Sequence, residues 1–206
     1  MRVSLNTLTE HRRALVDQAS RLFRRSGLDG VGVAEISRAA GLTHGAFYGH
    51  FPSKAGLAAE ACATSLQSGA ARWRDLVAQA QAAGADPLGA LIDNYLSESH
   101  RDAPERGCIL SSLGPEIGRA EPLLRAALDD GVTGLSAVLA DTIAGLRPDL
   151  ARDACDSAAL AVLSALAGGL ILARACRDPS RSRAALTAAA AMARAALPPR
   201  AALPPG

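Results

Sequence analysis

Apolar residues recur at helical spacing through most of the chain, and no stretch alternates as a strand would. An early example is the set Leu15, Ala19, Leu22 and Phe23, which falls on one face of a helix. Glycine, proline and short polar clusters separate such segments. The pattern predicts an all-α protein of about nine helices, three in the N-terminal part and six over 54–82, 87–101, 105–118, 121–145, 149–177 and 180–196.

The segment GLTHGAFYGHFPSK, from Gly41 to Lys54, has the pattern of a helix, a tight turn and a second helix. In the helix before the turn, small and apolar residues occupy one side and polar residues, Ser37 among them, the other. Gly41 can adopt the left-handed conformation that ends a helix, and Thr43 can cap the next one. A helix-turn-helix presents side chains to a DNA groove in this way, so we expect a DNA-binding segment here.

The second helix, expected over Thr43 to Phe51, has two different faces. Phe47 and Phe51 share one face and are expected to pack in the core, which leaves the other side chains for DNA. Ser53 is a good cap for a following helix, whose first turn would contain Lys54, the only lysine in the chain. Because the start of a helix disfavours a cation, a neighbouring DNA phosphate would suit Lys54.

The run LVDQASRLFRRSGLDGVGVAEISRAAGLTHGAFYGHFPSK resembles the DNA-binding domain of the TetR family of bacterial one-component repressors. It combines an arginine-flanked first helix, a break at Gly27, the AAGLT turn, the FYGHF recognition helix and the SK start of helix four. The resemblance covers the first quarter of the chain closely and the rest only by length and helical character. It implies that the family's base and phosphate contacts fall on Thr43, His44, Gly45, Tyr48, His50 and Lys54, with helix two opening at Gly32.

One of these positions departs from the family's pattern, and three others have a second interpretation. The family commonly has Thr or Ser at position 32, and Gly32 can still cap helix two but lacks the hydroxyl that reaches a phosphate. Tyr48 and His50 could be solvated or packing residues instead of DNA contacts, and Gly45 could be an accident of a glycine-rich chain.

Charge is distributed unevenly although the net charge is only +2. Residues 1–54 carry eight Lys and Arg against four Asp and Glu, whereas residues 55–206 carry fourteen against sixteen. A basic run is often a solvated face, but beside a helix-turn-helix it favours sequence-independent attraction to DNA phosphates.

Composition and resemblance together predict three parts: a DNA-binding domain over 1–54, an effector-binding and dimerisation domain over 55–197, and a disordered proline-rich tail over 198–206. The N-terminal residues lack the apolar region of a signal peptide, which favours a cytoplasmic protein. The longest uncharged run, Ser157 to Ala173, is a little short for a bilayer of about 30 Å. We therefore expect no membrane association.

In the TetR family the last two long helices pair with their twofold mates in a four-helix bundle. The alanine-rich stretches 154–173 and 184–197 suit such close packing, so the resemblance implies a homodimer that reads a palindromic operator in double-stranded DNA. The alternative is that these stretches only complete an intrachain core. The resemblance also implies that an effector shifts the helix beginning near Lys54 and thereby changes the spacing of the two recognition helices.

The chain has four cysteines: Cys62, Cys108, Cys155 and Cys176. Their spacing is not that of a zinc site, so neither a metal nor another cofactor is expected. Cys108 follows Arg106 and Gly107 at the expected start of a helix, where helix dipole and guanidinium favour a thiolate. The segment RGCILSSLGPEI also resembles the region that contains the reactive cysteine in N-ethylmaleimide-responsive members of the family.

In that group a lysine on a long helix partners the cysteine, and the best match in this chain is Arg174, which departs from the pattern. Cys176 could instead resolve an oxidised Cys108 as a disulfide. A purely structural Cys108 beside a conventional effector pocket is the alternative. Such an apolar pocket would have polar anchors among Asn94, Tyr95, Glu98, His100 and Glu116, although these residues could also be helix surface.

An enzyme would need a nucleophile with a base, and His100 with Cys108 is the only candidate pair, without an evident orienting group or oxyanion loop. The sequence therefore predicts no enzyme. It predicts a repressor that an unidentified small-molecule effector, or modification of Cys108, releases from DNA. An activator or an effector-independent DNA-binding protein with the same fold is the alternative.

Overall fold

The computed structural model describes residues 5–198, in which every regular element is helical. This confirms the predicted all-α class. A single 3₁₀ turn, Pro104–Arg106, precedes the seventh helix. The ten α-helices of the described residues are α1 Leu5–Ser26, α2 Val33–Ala39, α3 His44–Phe47, α4 Lys54–Ala82, α5 Pro87–Tyr95, α6 Glu98–Asp102, α7 Ile109–Ile117, α8 Pro122–Leu146, α9 Arg152–Ala175 and α10 Pro179–Ala195.

The segment expected to be one helix over 87–101 is divided into α5 and α6, which accounts for ten α-helices where about nine were expected. Leu96 has φ −92° and ψ 26°, outside regular helical geometry. The Ser97 hydroxyl donates a hydrogen bond of 2.9 Å to the carbonyl of Asn94, one of the carbonyls that the end of a helix leaves without a backbone partner.

The recognition helix is shorter than predicted, because α3 ends at Phe47 and a turn continues from Tyr48 to His50. In that turn the amides of Gly49 and His50 bond to carbonyls three residues earlier, at 3.2 and 2.9 Å. Such tighter bonding is common at helix ends, and Gly49 has low helix propensity.

The chain separates into two compact units whose boundaries lie within α4, at the start of α6 and within α8. The first consists of the residues up to Arg72 together with Ser99–Leu135, and the second of Trp73–Glu98 together with the residues from Ser136 onward. The division at residue 54 into DNA-binding and effector domains stays a prediction. Most of the predicted tail, 199–206, lies outside the described residues.

The core of the first unit is built around aromatic side chains of the α3 segment. Phe47 and Phe51 are buried with their ring centroids 5.9 Å apart, as predicted, and Leu15 of α1 and Ile36 of α2 are buried as well. Ser37 was expected on the polar side of α2 but is fully buried. Its hydroxyl donates a 2.8 Å hydrogen bond to the carbonyl of Val33, which satisfies it within its own helix.

In the second unit, α9 packs closely against α10. A β-carbon on Gly169 would come within 2.2 Å of the β-carbon of Ala189, so only glycine allows this approach. Leu163, Leu166 and Leu170 of α9 are buried in the same unit. Small residues allow the two helix backbones to approach closely, and the flanking leucines bury apolar surface. This packing explains why the pair is alanine-rich.

Helix α9 is also long and apolar enough to cross a membrane by length and composition, and 44% of its most apolar 18-residue window is buried in the protein. The core helix of a soluble protein has the same properties, so this helix is weak evidence for a membrane span.

Candidate DNA-binding site and cysteine environment

The turn between α2 and α3 depends on Gly41, whose φ of +73° lies in the left-handed region, as predicted. The amide of Leu42 donates a 2.8 Å hydrogen bond to the carbonyl of Ser37 and closes the end of α2. Thr43 caps α3, because its hydroxyl accepts a 3.2 Å hydrogen bond from the amide of Ala46. The turn therefore has the local geometry of a helix-turn-helix.

The predicted DNA contacts Thr43, His44, Gly45 and Tyr48 are all exposed. Tyr48 is 57% exposed. Its ring meets the ring of Phe47 edge to face at a centroid distance of 5.2 Å and that of His44 at 5.5 Å. The buried Phe47 thus supports the exposed Tyr48, which in turn contacts the exposed His44, and both exposed side chains can hydrogen-bond to bases or phosphates.

His50 has a different setting from the other predicted contacts, since it is half-buried. Its ring lies edge to face with the ring of His11 at 5.9 Å, and its backbone carbonyl accepts a hydrogen bond from Arg12. Burial, followed by the nearby charges of His11 and Arg12, lowers the pKa of His50. The lowered pKa favours the uncharged imidazole form of His50, which can both donate and accept a hydrogen bond.

Arg12 joins three parts of the first unit. Its guanidinium carbon lies 4.1 Å from the centroid of the Phe51 ring, and its Nε donates a 3.0 Å hydrogen bond to Glu60 of α4. A second nitrogen forms an ion pair with the same carboxylate. The guanidinium of Arg12, one of the eight basic residues of 1–54, is therefore paired within the protein.

The two remaining predicted contacts, Gly32 and Lys54, lie at the starts of α2 and α4. Gly32 is the exposed N-cap of α2, without a side-chain hydrogen bond, and a β-carbon there would meet nothing within 4 Å. Lys54 is the half-buried first residue of α4, and the Ser53 hydroxyl accepts a 3.1 Å hydrogen bond from the amide of Gly56. The predicted Ser53 cap is therefore confirmed.

Cys108 is the half-buried N-cap of α7, and all four cysteines of the chain are free thiols. Its amide donates a 3.0 Å hydrogen bond to Nε2 of His100, and its carbonyl accepts hydrogen bonds from the hydroxyls of Ser111 and Ser112 at 3.0 and 3.3 Å. The backbone of Cys108 is thus fixed on both sides.

The guanidinium beside Cys108 belongs to Arg24, which sequence reasoning missed. One terminal nitrogen of Arg24 donates hydrogen bonds to the Ser65 hydroxyl at 2.8 Å and the Gly107 carbonyl at 2.9 Å. Burial lowers the pKa of Arg24, and the charge of Cys108 opposes that shift. Arg106, the expected neighbour, is exposed and lies 3.7 Å from Glu105 in an ion pair. No sequence signal could identify Arg24, because it precedes Gly107 by 83 positions.

Cys62, in the same unit, has the opposite environment. Burial, and to a smaller extent the charge of Cys108, raise the pKa of the Cys62 thiol to about 12. Cys62 therefore remains a protonated, unreactive thiol near neutral pH.

Glu116 has a structural role that sequence reasoning did not anticipate. The amide of Leu28 donates a 2.8 Å hydrogen bond to the Glu116 carboxylate, which also lies against Gly27, whose φ is +77°. This carboxylate at the end of α7 thus binds the segment that follows α1, so Glu116 is engaged within the protein rather than presented to an effector.

Four predicted effector residues belong to the second unit: Arg174, Cys176, Tyr95 and Glu98. The pairing of Arg174 or Cys176 with Cys108 stays a prediction. Arg174 of α9 is half-buried, and Cys176 is the half-buried C-cap of the same helix. Tyr95 is buried with its ring 5.8 Å from that of Trp73. Glu98 is exposed on an open groove of about 530 Å³ between α5 and α10. The groove does not include Tyr95, so these two predicted anchors do not share it.

Comparison with known proteins places this geometry in a family. Residues 15–61 match the model of the bacterial regulatory proteins of the tetR family, and residues 84–189 match that of the tetracyclin repressor-like C-terminal domain. The chain is 24% identical over 141 residues to the HTH-type transcriptional repressor NemR of Escherichia coli K12, covering 68% of this chain and 71% of NemR. Over 51 residues it is 43% identical to the HTH-type transcriptional regulator AcrR of Shigella flexneri, 25% of this chain and 24% of AcrR.

Solved structures confirm the fold. The crystal structure of reduced E. coli NemR has a TM-score of 0.71 at 19% identity, over 87% of this chain and 94% of NemR. A TetR-family regulator from Cytophaga hutchinsonii has a TM-score of 0.74 at 19% identity, over 95% and 98% of the two chains. The two family matches together span the helix-turn-helix and the helices that follow it. The chain is therefore a member of the TetR family, a bacterial transcriptional regulator with a DNA-binding helix-turn-helix.

Proposed function

We propose that the protein is a cytoplasmic repressor that binds a palindromic operator in double-stranded DNA as a homodimer. The observation that carries this proposal is the exposed surface of α3 and its C-cap, where Tyr48 packs edge to face on the buried ring of Phe47 and His44 packs edge to face on Tyr48. A supported polar face of this kind suits major-groove recognition, with Thr43, Gly45, His50 and Lys54 as further contacts to bases or phosphates. Similarity to the repressor NemR supports repression as its mode of action.

Exposed apolar residues on the last two helices support the homodimer. The described residues include seven large hydrophobic side chains that are exposed, and four of these are on α9 or α10: Leu160, Ile171, Leu172 and Met192. A monomer would leave this apolar surface in water, and a second copy would cover it through a self-complementary contact.

Two release signals are proposed, a small-molecule effector or modification of the Cys108 thiol. Cys108 is the N-cap of α7. Near the end of that helix, the Glu116 carboxylate accepts a hydrogen bond from the amide of Leu28, which directly follows Gly27 at the break after α1. A change at Cys108 that moves α7 therefore acts on the segment leading into α2. The similar structure of NemR is that of a reduced form, which supports a redox-responsive thiol here.

Fluorescence anisotropy tests the DNA-binding part. Duplexes from immediately upstream of the gene are titrated with the reduced protein, with a shuffled duplex of equal length as control. We expect binding in the nanomolar range, lost on shuffling. Equal binding to both duplexes contradicts an operator-specific repressor. N-ethylmaleimide treatment of wild type, Cys108→Ser and Cys62→Ser then tests release, which should persist in Cys62→Ser and disappear in Cys108→Ser.

Sedimentation equilibrium tests the dimer. Leu160→Glu with Leu172→Glu should convert dimer to monomer, since two charges would be buried without partners. Leu123→Glu is the matched control, because Leu123 is equally exposed at 60% but lies on α8. A monomeric wild type, or a double variant that stays dimeric, contradicts the interface.

A further inference from the structure

A pocket in the first unit is lined by four arginines and one aspartate. Arg21 and Arg24 come from α1, Arg72 from α4 and Arg106 from the 3₁₀ turn. The remaining lining residues that can donate hydrogen bonds are hydroxyls: Ser20, Thr64, Ser65 and Ser68. The geometry points to a binding site for a small phosphate-bearing anion at this junction of α1, α4 and the 3₁₀ turn.

The charges of the pocket are unbalanced. Burial lowers the pKa of Arg24, and repulsion from Arg72 and Arg21 lowers it further, against the opposing effects of Cys108 and Glu105. Within the pocket, Asp17 is the single carboxylate, and it also lies 3.9 Å from Arg13 in an ion pair. Like charges that raise one another's energy in a partly enclosed site are stabilised by a bound anion.

The donors in the pocket are not all used. Nε of Arg24 is buried and has no hydrogen-bond partner among the described residues. A buried donor in this state destabilises the protein unless a ligand or water satisfies it. Arg21 and Arg72 are exposed at the rim, so their guanidinium groups can close on an anion that enters from solvent.

The chemistry favours phosphate over a carboxylate. A guanidinium group can form two parallel hydrogen bonds to two oxygens of either a carboxylate or a phosphate. A terminal phosphate, however, presents three acceptor oxygens and up to two negative charges. This site offers several guanidinium groups together with hydroxyls, which suits the larger number of acceptors. The pocket has a volume of about 230 Å³. That is roughly the volume of eight liquid waters, which suits a phosphate group with a short substituent rather than a drug-sized ligand.

The site connects α1, which leads into the helix-turn-helix, to α4, which begins at Lys54. An anion held by Arg21 and Arg72 would fix these helices against each other, and it would act as an effector if the two DNA-binding states hold it unequally. That effector role rests on the proposed DNA-binding function, whereas anion binding itself does not.

Isothermal titration calorimetry of the full chain, with inorganic pyrophosphate at fixed ionic strength, tests the site without DNA. Wild type should bind, and Arg21→Gln with Arg72→Gln should weaken binding at least tenfold. Arg74→Gln is the matched control, since Arg74 is an exposed arginine of α4 that does not line the pocket. Malonate should bind at least tenfold more weakly than pyrophosphate. No binding, equal binding by the double variant, or equal binding of malonate overturns the proposal.

The same variants are then titrated with operator DNA. Saturating pyrophosphate should change the operator affinity of the wild type at least fivefold and leave that of the double variant unchanged. Binding of pyrophosphate without any effect on operator affinity overturns the effector role. Absence of specific DNA binding under all conditions overturns the repressor and leaves the anion site standing. If the double variant loses operator affinity and the wild type does not bind pyrophosphate, the two arginines contact DNA phosphates instead and the proposal is overturned.

Discussion

The turn and helix from Gly41 to His50 are held by near neighbours, whereas the surroundings of Cys108 come from distant parts of the chain. Thr43 caps the amide of Ala46 three residues away, but Arg24 reaches the carbonyl of Gly107 across 83 positions. Local hydrogen bonds can be read from residue order, while a buried guanidinium beside a thiol cannot. The following predictions test this difference, in order of decreasing expected effect.

Replacing Phe47 by Ala should destabilise the protein by about 3–5 kcal/mol, because it leaves a cavity under the recognition helix. Tyr48→Ala is the matched comparison from the next position, since Tyr48 is 57% exposed. It should change stability by less than about 1 kcal/mol and weaken operator binding about tenfold. Urea unfolding and operator titration measure the two effects. Equal destabilisation by both substitutions contradicts the division between core and recognition face.

The two cysteines of the first unit should differ strongly in alkylation. Burial raises the pKa of Cys62 from 9.0 to about 12, so at pH 8 its thiolate is roughly a thousandfold scarcer than that of an ordinary cysteine. Iodoacetamide should modify Cys108 first, and the rate at Cys62 should keep rising as the pH approaches 12. Because the unfolded state loses this proton first, stability should fall as the pH rises above about 9. Peptide mass spectrometry resolves the sites, and faster labelling of Cys62 at pH 8 would refute the assignment.

Arg24→Gln should destabilise the protein by about 1–3 kcal/mol and slow alkylation of Cys108 several-fold, since it removes hydrogen bonds to Ser65 and Gly107 and the positive charge beside Cys108. Arg106→Gln removes the arginine that sequence reasoning selected. It should leave both the stability of the protein and the alkylation rate of Cys108 nearly unchanged. Thermal unfolding and labelling rates at pH 7 are the measurements. A larger effect at Arg106 would show that the neighbour in sequence, and not the neighbour in space, acts on the thiol.

Gly32→Ser should have the smallest effect, a gain of a few tenths of a kcal/mol in stability and a modest gain in operator affinity. Gly32 has φ −93° and ψ 156°, which serine adopts readily, and its missing β-carbon would contact nothing within 4 Å. The added hydroxyl can cap α2 and reach a phosphate. Gly45→Ser, also without a neighbour within 4 Å of the added β-carbon, is the control for the DNA-facing surface. A loss of operator affinity in Gly32→Ser would contradict a phosphate close to position 32.

Residue pattern correctly predicted the helical class, the Gly41 turn, the Thr43 and Ser53 caps, and burial of Phe47 and Phe51. The predictions from residue pattern were wrong where a side chain bonds to a group that helical periodicity does not indicate. Ser37 is buried because its hydroxyl bonds within α2, and Arg12 of the basic N-terminal part forms an ion pair with Glu60 of α4. The break between α5 and α6 was missed for a related reason, since a single Ser97 hydroxyl is enough to satisfy a carbonyl at the end of α5.

The sequence by itself therefore determined the helices, the DNA-binding turn and the family resemblance, because backbone conformation and capping depend on residues a few positions apart. Tertiary structure alone decided which arginine lies beside Cys108, that Glu116 holds the segment after α1, and that Arg21, Arg24, Arg72 and Arg106 line one pocket. The physical reason is that Coulomb interactions, desolvation and long-range hydrogen bonds depend on distance in space, which residue order does not contain.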